Sequence, residues 1–193
     1  MSAGIALAFV GGLVCLLAVV IILWAVLSYN RLVRLRNQVD GSWAQIDVQL
    51  KRRYDLIPNL VETVRGYAAH ERGTLEGVVA ARGNAMNAAQ TPGLADRAEA
   101  ENVLTQALGR LFALAEAYPD LKANQNFAAL QAELANTEDK IAYARQFYNS
   151  AVQSFNTATQ TLPTNIIAGI GGFKARDFFE AAGGERGPVQ VRF

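Results

Sequence analysis

The first 30 residues carry no charged side chain, and from Ala3 to Leu27 the run is almost wholly apolar. At about 1.5 Å per residue that run makes a helix of about 37 Å, enough to cross a hydrocarbon core of about 30 Å with some tilt. The chain therefore reads as beginning with an uncleaved membrane anchor. A cleaved signal peptide fits less well. No Lys or Arg precedes the run, the run is too long for an h-region, and Trp24-Ala25-Val26-Leu27 offers no clean small-residue cleavage site.

Arg31, Arg34 and Arg36 follow the apolar run directly. By the positive-inside rule the N-terminus is expected outside and the soluble part in the cytoplasm. Within the run Gly4, Ala8 and Gly12 recur every four residues, a stripe that lets a second transmembrane helix pack closely; a lone anchor is the alternative. All 18 Lys and Arg and all 17 Asp and Glu lie after residue 30, so the soluble part is nearly neutral, which argues against nucleic acid as a partner. The single cysteine, Cys15, sits inside the apolar run and leaves no intrachain disulfide or cysteine metal cluster.

Pro58, the Thr91-Pro92-Gly93 turn, Pro119 and Pro163 divide the soluble part into stretches of helical periodicity. In the first, Leu32, Leu35, Val39, Trp43, Ile46, Leu50, Tyr54, Ile57 and Val61 follow a 3-4-4 spacing close to the natural helix period. In the last, Phe127, Leu134, Ile141, Tyr148, Phe155 and Leu162 recur every seven residues, alternating with Leu130, Thr137, Ala144, Ala151 and Ala158. Large residues facing mostly small ones suit a tight antiparallel bundle. Pro58 leaves a turn and a kink open; an N-cap at Asp55 would set Pro58 in the first turn of a new helix, and the resulting four-helix bundle is favoured over a single long hairpin. The expected fold is all-α: a transmembrane anchor over residues 1–30, an antiparallel four-helix bundle of long kinked helices over 31–162, and a Gly/Phe-rich tail over 163–193.

Catalytic chemistry finds little support. A di-metal carboxylate site needs two Glu-x-x-His pairs, and the only histidine, His70, has Tyr67 three residues before it. Gly169 to Gly172 lacks the strand, helix and Lys of a phosphate loop and reads as a flexible turn. No cofactor, metal or small-molecule substrate is expected. An enzyme using Glu116, Glu133 and Glu138 is the weakest of the functions weighed.

The segment YNRLVRLRNQVDGSWAQIDVQLKRRYDLIPNLVETVRGYAAHERGTLEGVVAAR, from Tyr29 to Arg82, resembles the LemA family of bacterial membrane proteins, and the match continues through LFALAEAYPDLKANQNFAALQAELANTEDKIAYARQFYNSAV, LPTNIIAG, GFKARDFFE and the closing PVQVRF. The resemblance implies an N-terminal anchor, a helical soluble bundle and no established catalytic activity. It supplies no assigned active site.

Asn37, Asp47, Gln49, Lys51, Arg52, Arg53, Asp55 and Asn59 are more particular than a solvated helix face needs. They read either as that face, with weak exposed ion pairs, or as a docking surface for a partner protein. In the tail Ile166, Ile167, Phe173, Phe178 and Phe179, beside Lys174 and Arg176, read either as an interfacial or subunit-bridging segment near the headgroups or as side chains packed on their own bundle. The expected function is a non-enzymatic, membrane-anchored scaffold or adaptor. Its partners are membrane lipid through one helix, a second copy of the chain, and other membrane proteins; the alternative is an accessory of a membrane protease or envelope stress response.

Overall fold

The computed structural model describes Ser2 to Thr91 and Gly93 to Phe179. Its elements are α1 (Ser2–Arg65), α2 (Arg72–Ala88), α3 (Leu94–Ala115), α4 (Pro119–Lys122), α5 (Gln125–Gln160) and α6 (Thr164–Ile170), and among the described residues every regular element is helical. Gly183, Gly184, Val189, Val191 and Phe193 of the tail lie outside the described residues.

α1 contains the apolar run. Its most apolar 18-residue window has a mean hydropathy of 3.0 and none of it is buried, so by length and composition this helix can cross a membrane. Gly4, Ala8 and Gly12 lie exposed along it, and nothing beyond the helix's own backbone comes within 4 Å of the position a Cβ would take on either glycine.

The expectation of a new helix beginning at Asp55 is corrected by α1, which runs unbroken through Pro58 to Arg65. Pro58 has no N–H to give to the carbonyl of Tyr54, and an orphaned acceptor in a packed interior favours breaking the helix. Here α2 supplies the donor: Arg82 Nε–H reaches the Tyr54 carbonyl oxygen at 2.7 Å. Asp55 caps nothing and pairs instead with Lys51 one turn earlier, at 2.9 Å. What had read as the second helix therefore starts only at Arg72, after the chain reverses between Gly66 and Glu71. The fourth begins at Gln125, where Asn124 Oδ1 accepts from the Phe127 backbone N–H at 3.0 Å.

The chain forms two compact units. The first comprises Met1–Gly41 and Ser150–Arg176. Its core is Leu32 of α1, Ala158 of α5 and Ala168 of α6, with Leu35, Ile167 and Phe173 packed against them. The α5 heptad is buried through Phe155 and then ends, leaving Leu162 in the open. α6 closes on a left-handed glycine: Gly172 has φ +68°, and the Phe173 N–H donates back to the Ala168 carbonyl at 3.0 Å. The segment read as a flexible turn is thus a defined helix stop. A Cβ on Gly171 would come within 2.7 Å of the Phe173 ring, so this close approach requires glycine.

Among the described residues the second unit comprises Ser42–Asn149 and the tail from Asp177 to Phe179. Ile46, Leu50, Ile57, Leu60, Val61 and Val64 of α1 are buried with Leu75 and Val78 of α2, Leu104, Leu108 and Leu111 of α3, and Phe127, Leu134 and Ile141 of α5. α5 runs antiparallel to α1 here: Trp43 meets Tyr148, while Arg52 and Arg53 meet Glu133 and Glu138. α2 and α3 pack against each other as a hairpin.

Candidate interaction site

The second unit carries a cation in its interior. Arg53 is 1 % exposed, the largest of the fully buried side chains. Its Nη1 donates to Glu138 at 2.7 and 3.0 Å and to Thr105 Oγ1 at 3.0 Å; its Nη2 donates to the Glu101 carbonyl at 3.2 Å and to the Glu101 carboxylate. The Tyr54 hydroxyl donates to the other Glu101 oxygen. Burial first, and then this hydrogen bond to a carboxylate, pushes the Tyr54 phenol well above the ordinary tyrosine range, because both penalise the phenolate. Arg97 extends the set, pairing with Asp47 and lying over the Trp43 ring at 4.8 Å. α1, α3 and α5 are thereby joined through charge-assisted bonds.

Most of the polar residues singled out on α1 are engaged inside their own unit. Arg53 is enclosed, Asp47 holds Arg97, Arg52 holds Glu133, and Lys51 and Asp55 hold each other on the surface. Asn37 and Asn59 remain exposed. The three carboxylates considered for chemistry are each beside a cation: Glu116 with Lys122, Glu133 with Arg52 and Glu138 with Arg53. Among the described residues no group of three or more metal-ligating side chains comes together.

The tail residues separate into two sets. Phe173, in the first unit, meets Tyr29 and Phe155 edge to face, at 5.6 and 6.4 Å between centroids, with the Arg36 guanidinium 5.4 Å from its ring. Ile167 packs on the same core, whereas Ile166 is exposed. In the second unit Phe179 is buried against Trp43 at 5.4 Å with Arg145 over its ring, and Phe178 is exposed. Two asparagines hold the tail backbone in the manner of a sheet ladder. In the first unit Asn156 exchanges two hydrogen bonds of 2.8 Å with the backbone of Arg176, whose guanidinium also meets Asp40 at 2.9 Å. In the second, Asn149 does the same with Phe179, at 2.9 and 3.1 Å.

An open groove of about 580 Å³ lies between α1 and α5 in the second unit, lined by Ala44, Gln45, Val48 and Gln49 on one side and Asp139, Lys140, Tyr143 and Ala144 on the other. Tyr143 is 73 % exposed and Val48 is exposed beside it. Gln49, one of the lining residues, has its Oε1 buried without a hydrogen-bond partner among the described residues. Asp139 and Lys140, also lining it, are exposed neighbours of opposite charge. An apolar groove that presents a bare tyrosine has the makeup of a protein interface.

The residues that sequence reasoning passed over share a readable signal. Arg97 and Glu101 stand on the heptad line of Leu104, Leu108 and Leu111, where a charge is out of place unless it is paired inside. Asn149 and Asn156 each follow a buried aromatic of the α5 seam, Tyr148 and Phe155, seven residues apart.

The LemA family model matches residues 42–193. Magnetosome protein MamQ 2 of Paramagnetospirillum magneticum is 27% identical over 177 residues, covering 80% of this chain and 65% of that protein. Magnetosome protein MamQ of Magnetospirillum gryphiswaldense is 27% identical over 176 residues, covering 79% and 65%, and protein LemA of Metamycoplasma hominis is 27% identical over 139 residues, covering 72% and 63%. The chain thus spans a little under two thirds of each of these relatives.

Proposed function

Because the chain belongs to the LemA family, we propose that it is a membrane-anchored scaffold that works by self-association and partner binding at the cytoplasmic face of the bacterial inner membrane. The observation that carries this reading is the α1/α5 groove with Tyr143 exposed at its edge. Tyrosine supplies large, stiff contact area and is enriched where interfaces are strongest. The first occupant is a second copy of the chain. Asp139 and Lys140 have no ion-pair partner of their own among the described residues, and a two-fold contact sets Asp139 of one copy against Lys140 of the other. The apolar length of α1 supports a membrane location, and Arg31, Arg34 and Arg36 after it support the cytoplasmic side.

Native mass spectrometry of the full chain, mildly solubilised from membranes, tests the reading. The expected result is an oligomer that Tyr143→Asp converts largely to monomer. Asp139→Lys alone is expected to weaken it, and Asp139→Lys with Lys140→Asp to restore it. A wild-type chain that is monomeric in membranes, or an oligomer indifferent to Tyr143→Asp, overturns it. Protease added outside sealed cells is expected to leave the helical units intact; their removal overturns the orientation.

A further inference from the structure

We infer that the α6 end of the first unit is a second membrane contact, seated in the headgroup layer of the bilayer that the apolar run of α1 enters, with Leu162, Ile166 and Ile170 turned into the lipid. Both faces of this short segment are apolar, but only one is covered. Ile167 and Ala168 face Leu32 and Leu35, while Ile166 and Ile170, one helical turn apart, are 54% and 82% exposed and Leu162 just before them is 78% exposed.

Height decides what covers the outer face. Leu32, which Ala168 packs against, is five residues past Leu27, about 7.5 Å along the helix. The headgroup layer on each side of the hydrocarbon core is about 5 to 7.5 Å thick, so Leu32 stands at its outer limit. Phe173 reaches Tyr29, two residues and about 3 Å past the run, so a second contact holds the tail well inside that layer. Arg31, Arg34 and Lys174 are exposed in this unit and enter no ion pair among the described residues, leaving them available to lipid phosphates. A seven-residue helix is too short to bind a membrane by itself, and it does not need to, because packing on α1 delivers it. A second copy is a poorer occupant: three side chains are far fewer than the roughly 20 residues a side of a standard protein interface.

Spin labelling of the full chain in vesicles of phosphatidylethanolamine and phosphatidylglycerol tests this. In a Cys15→Ser background, single cysteines replace Ile166, Ile170 and, as a control on the exposed side of α5, Gln153. Collision with oxygen, which concentrates in lipid, is compared with collision with a water-soluble nickel chelate. The expected result is oxygen in excess at 166 and 170 and nickel in excess at 153. Nickel in excess at 166 and 170 overturns the inference. So does shielding from both reagents, the signature of a covering protein copy. A second measurement places the label at Leu162→Cys and adds Ile166→Asp with Ile170→Asp. The collision preference at 162 is expected to invert from oxygen to nickel, with an unchanged melting temperature showing that the fold persists; an unaltered preference overturns the inference.

Discussion

Arg82 on α2 donates its Nε–H to the backbone carbonyl of Tyr54 on α1 at 2.7 Å, and that carbonyl is the acceptor which Pro58, four residues later, has no N–H to satisfy. A proline in a helix interior ordinarily costs about 3 kcal/mol through the lost bond and a ring clash. In this chain a side chain 28 positions away removes part of that penalty. This bond also ties α2 to α1 at the level where Arg53 and Tyr54 enter the buried charge network.

Replacing Arg82 with Met is expected to destabilise the second unit by about 1 to 3 kcal/mol, the cost of a buried acceptor left unpaired. In a Pro58→Ala background the helix regains its own N–H, and the same replacement is expected to cost much less. Thermal melting of the four chains of this cycle in detergent measures the difference. Equal costs in both backgrounds would mean that the bond does not compensate for the proline.

Arg53→Met is expected to cost about 3 to 5 kcal/mol, because Glu101 then keeps its charge in the interior without its main partner. Adding Glu101→Gln removes the stranded charge and is expected to recover part of the loss. Arg52 is half exposed where it meets Glu133, and Arg52→Met is expected to cost less than about 1 kcal/mol. Similar melting temperatures for the Arg53 and Arg52 variants would refute the ranking.

Tyr54 makes stability depend on alkaline pH. Its folded pKa is raised above the unfolded value, so its contribution is complete below about pH 10 and is lost as pH rises from there toward the folded value, at roughly 1.4 kcal/mol per pH unit. Tyr54→Phe is expected to be less stable at pH 7, through the lost bond to Glu101, yet to show a flatter decline between about pH 10 and 11. Denaturation midpoints across that range measure it, and parallel curves for the two chains would count against it.

Asn149→Ala removes both hydrogen bonds to Phe179, and Asn156→Ala both to Arg176. At about 1 kcal/mol per bond, amide exchange at the released residue is expected to speed up by about tenfold or more, while amides of the α2/α3 hairpin keep their protection. Hydrogen exchange read by mass spectrometry resolves the two sites separately.

Much of the architecture was legible because helix period and solvent preference are local. The 3-4-4 line from Leu32 to Val61 and the seven-residue line from Phe127 to Phe155 are the buried faces of α1 and α5. The tail was legible only in part. Its aromatics announced a role beyond a solvated tail, but which of them turn inward depends on Gly172 stopping α6 and on two asparagines meeting its backbone.

The residues by themselves determined an apolar, uncharged stretch long enough for a membrane, the all-helical class and the faces that pack, since each follows from spacing along one helix and from the cost of wetting apolar surface. Tertiary structure decided the continuity of α1 through Pro58 and the burial of Arg53. It also decided the division of the tail phenylalanines between packed and open positions. The physical reason is the same in each case: a lone polar or apolar group has no preferred place until a partner from another element arrives. Arg82 for the Tyr54 carbonyl, Glu101 and Glu138 for Arg53, and Tyr29 and Trp43 for Phe173 and Phe179 are brought there only by the fold.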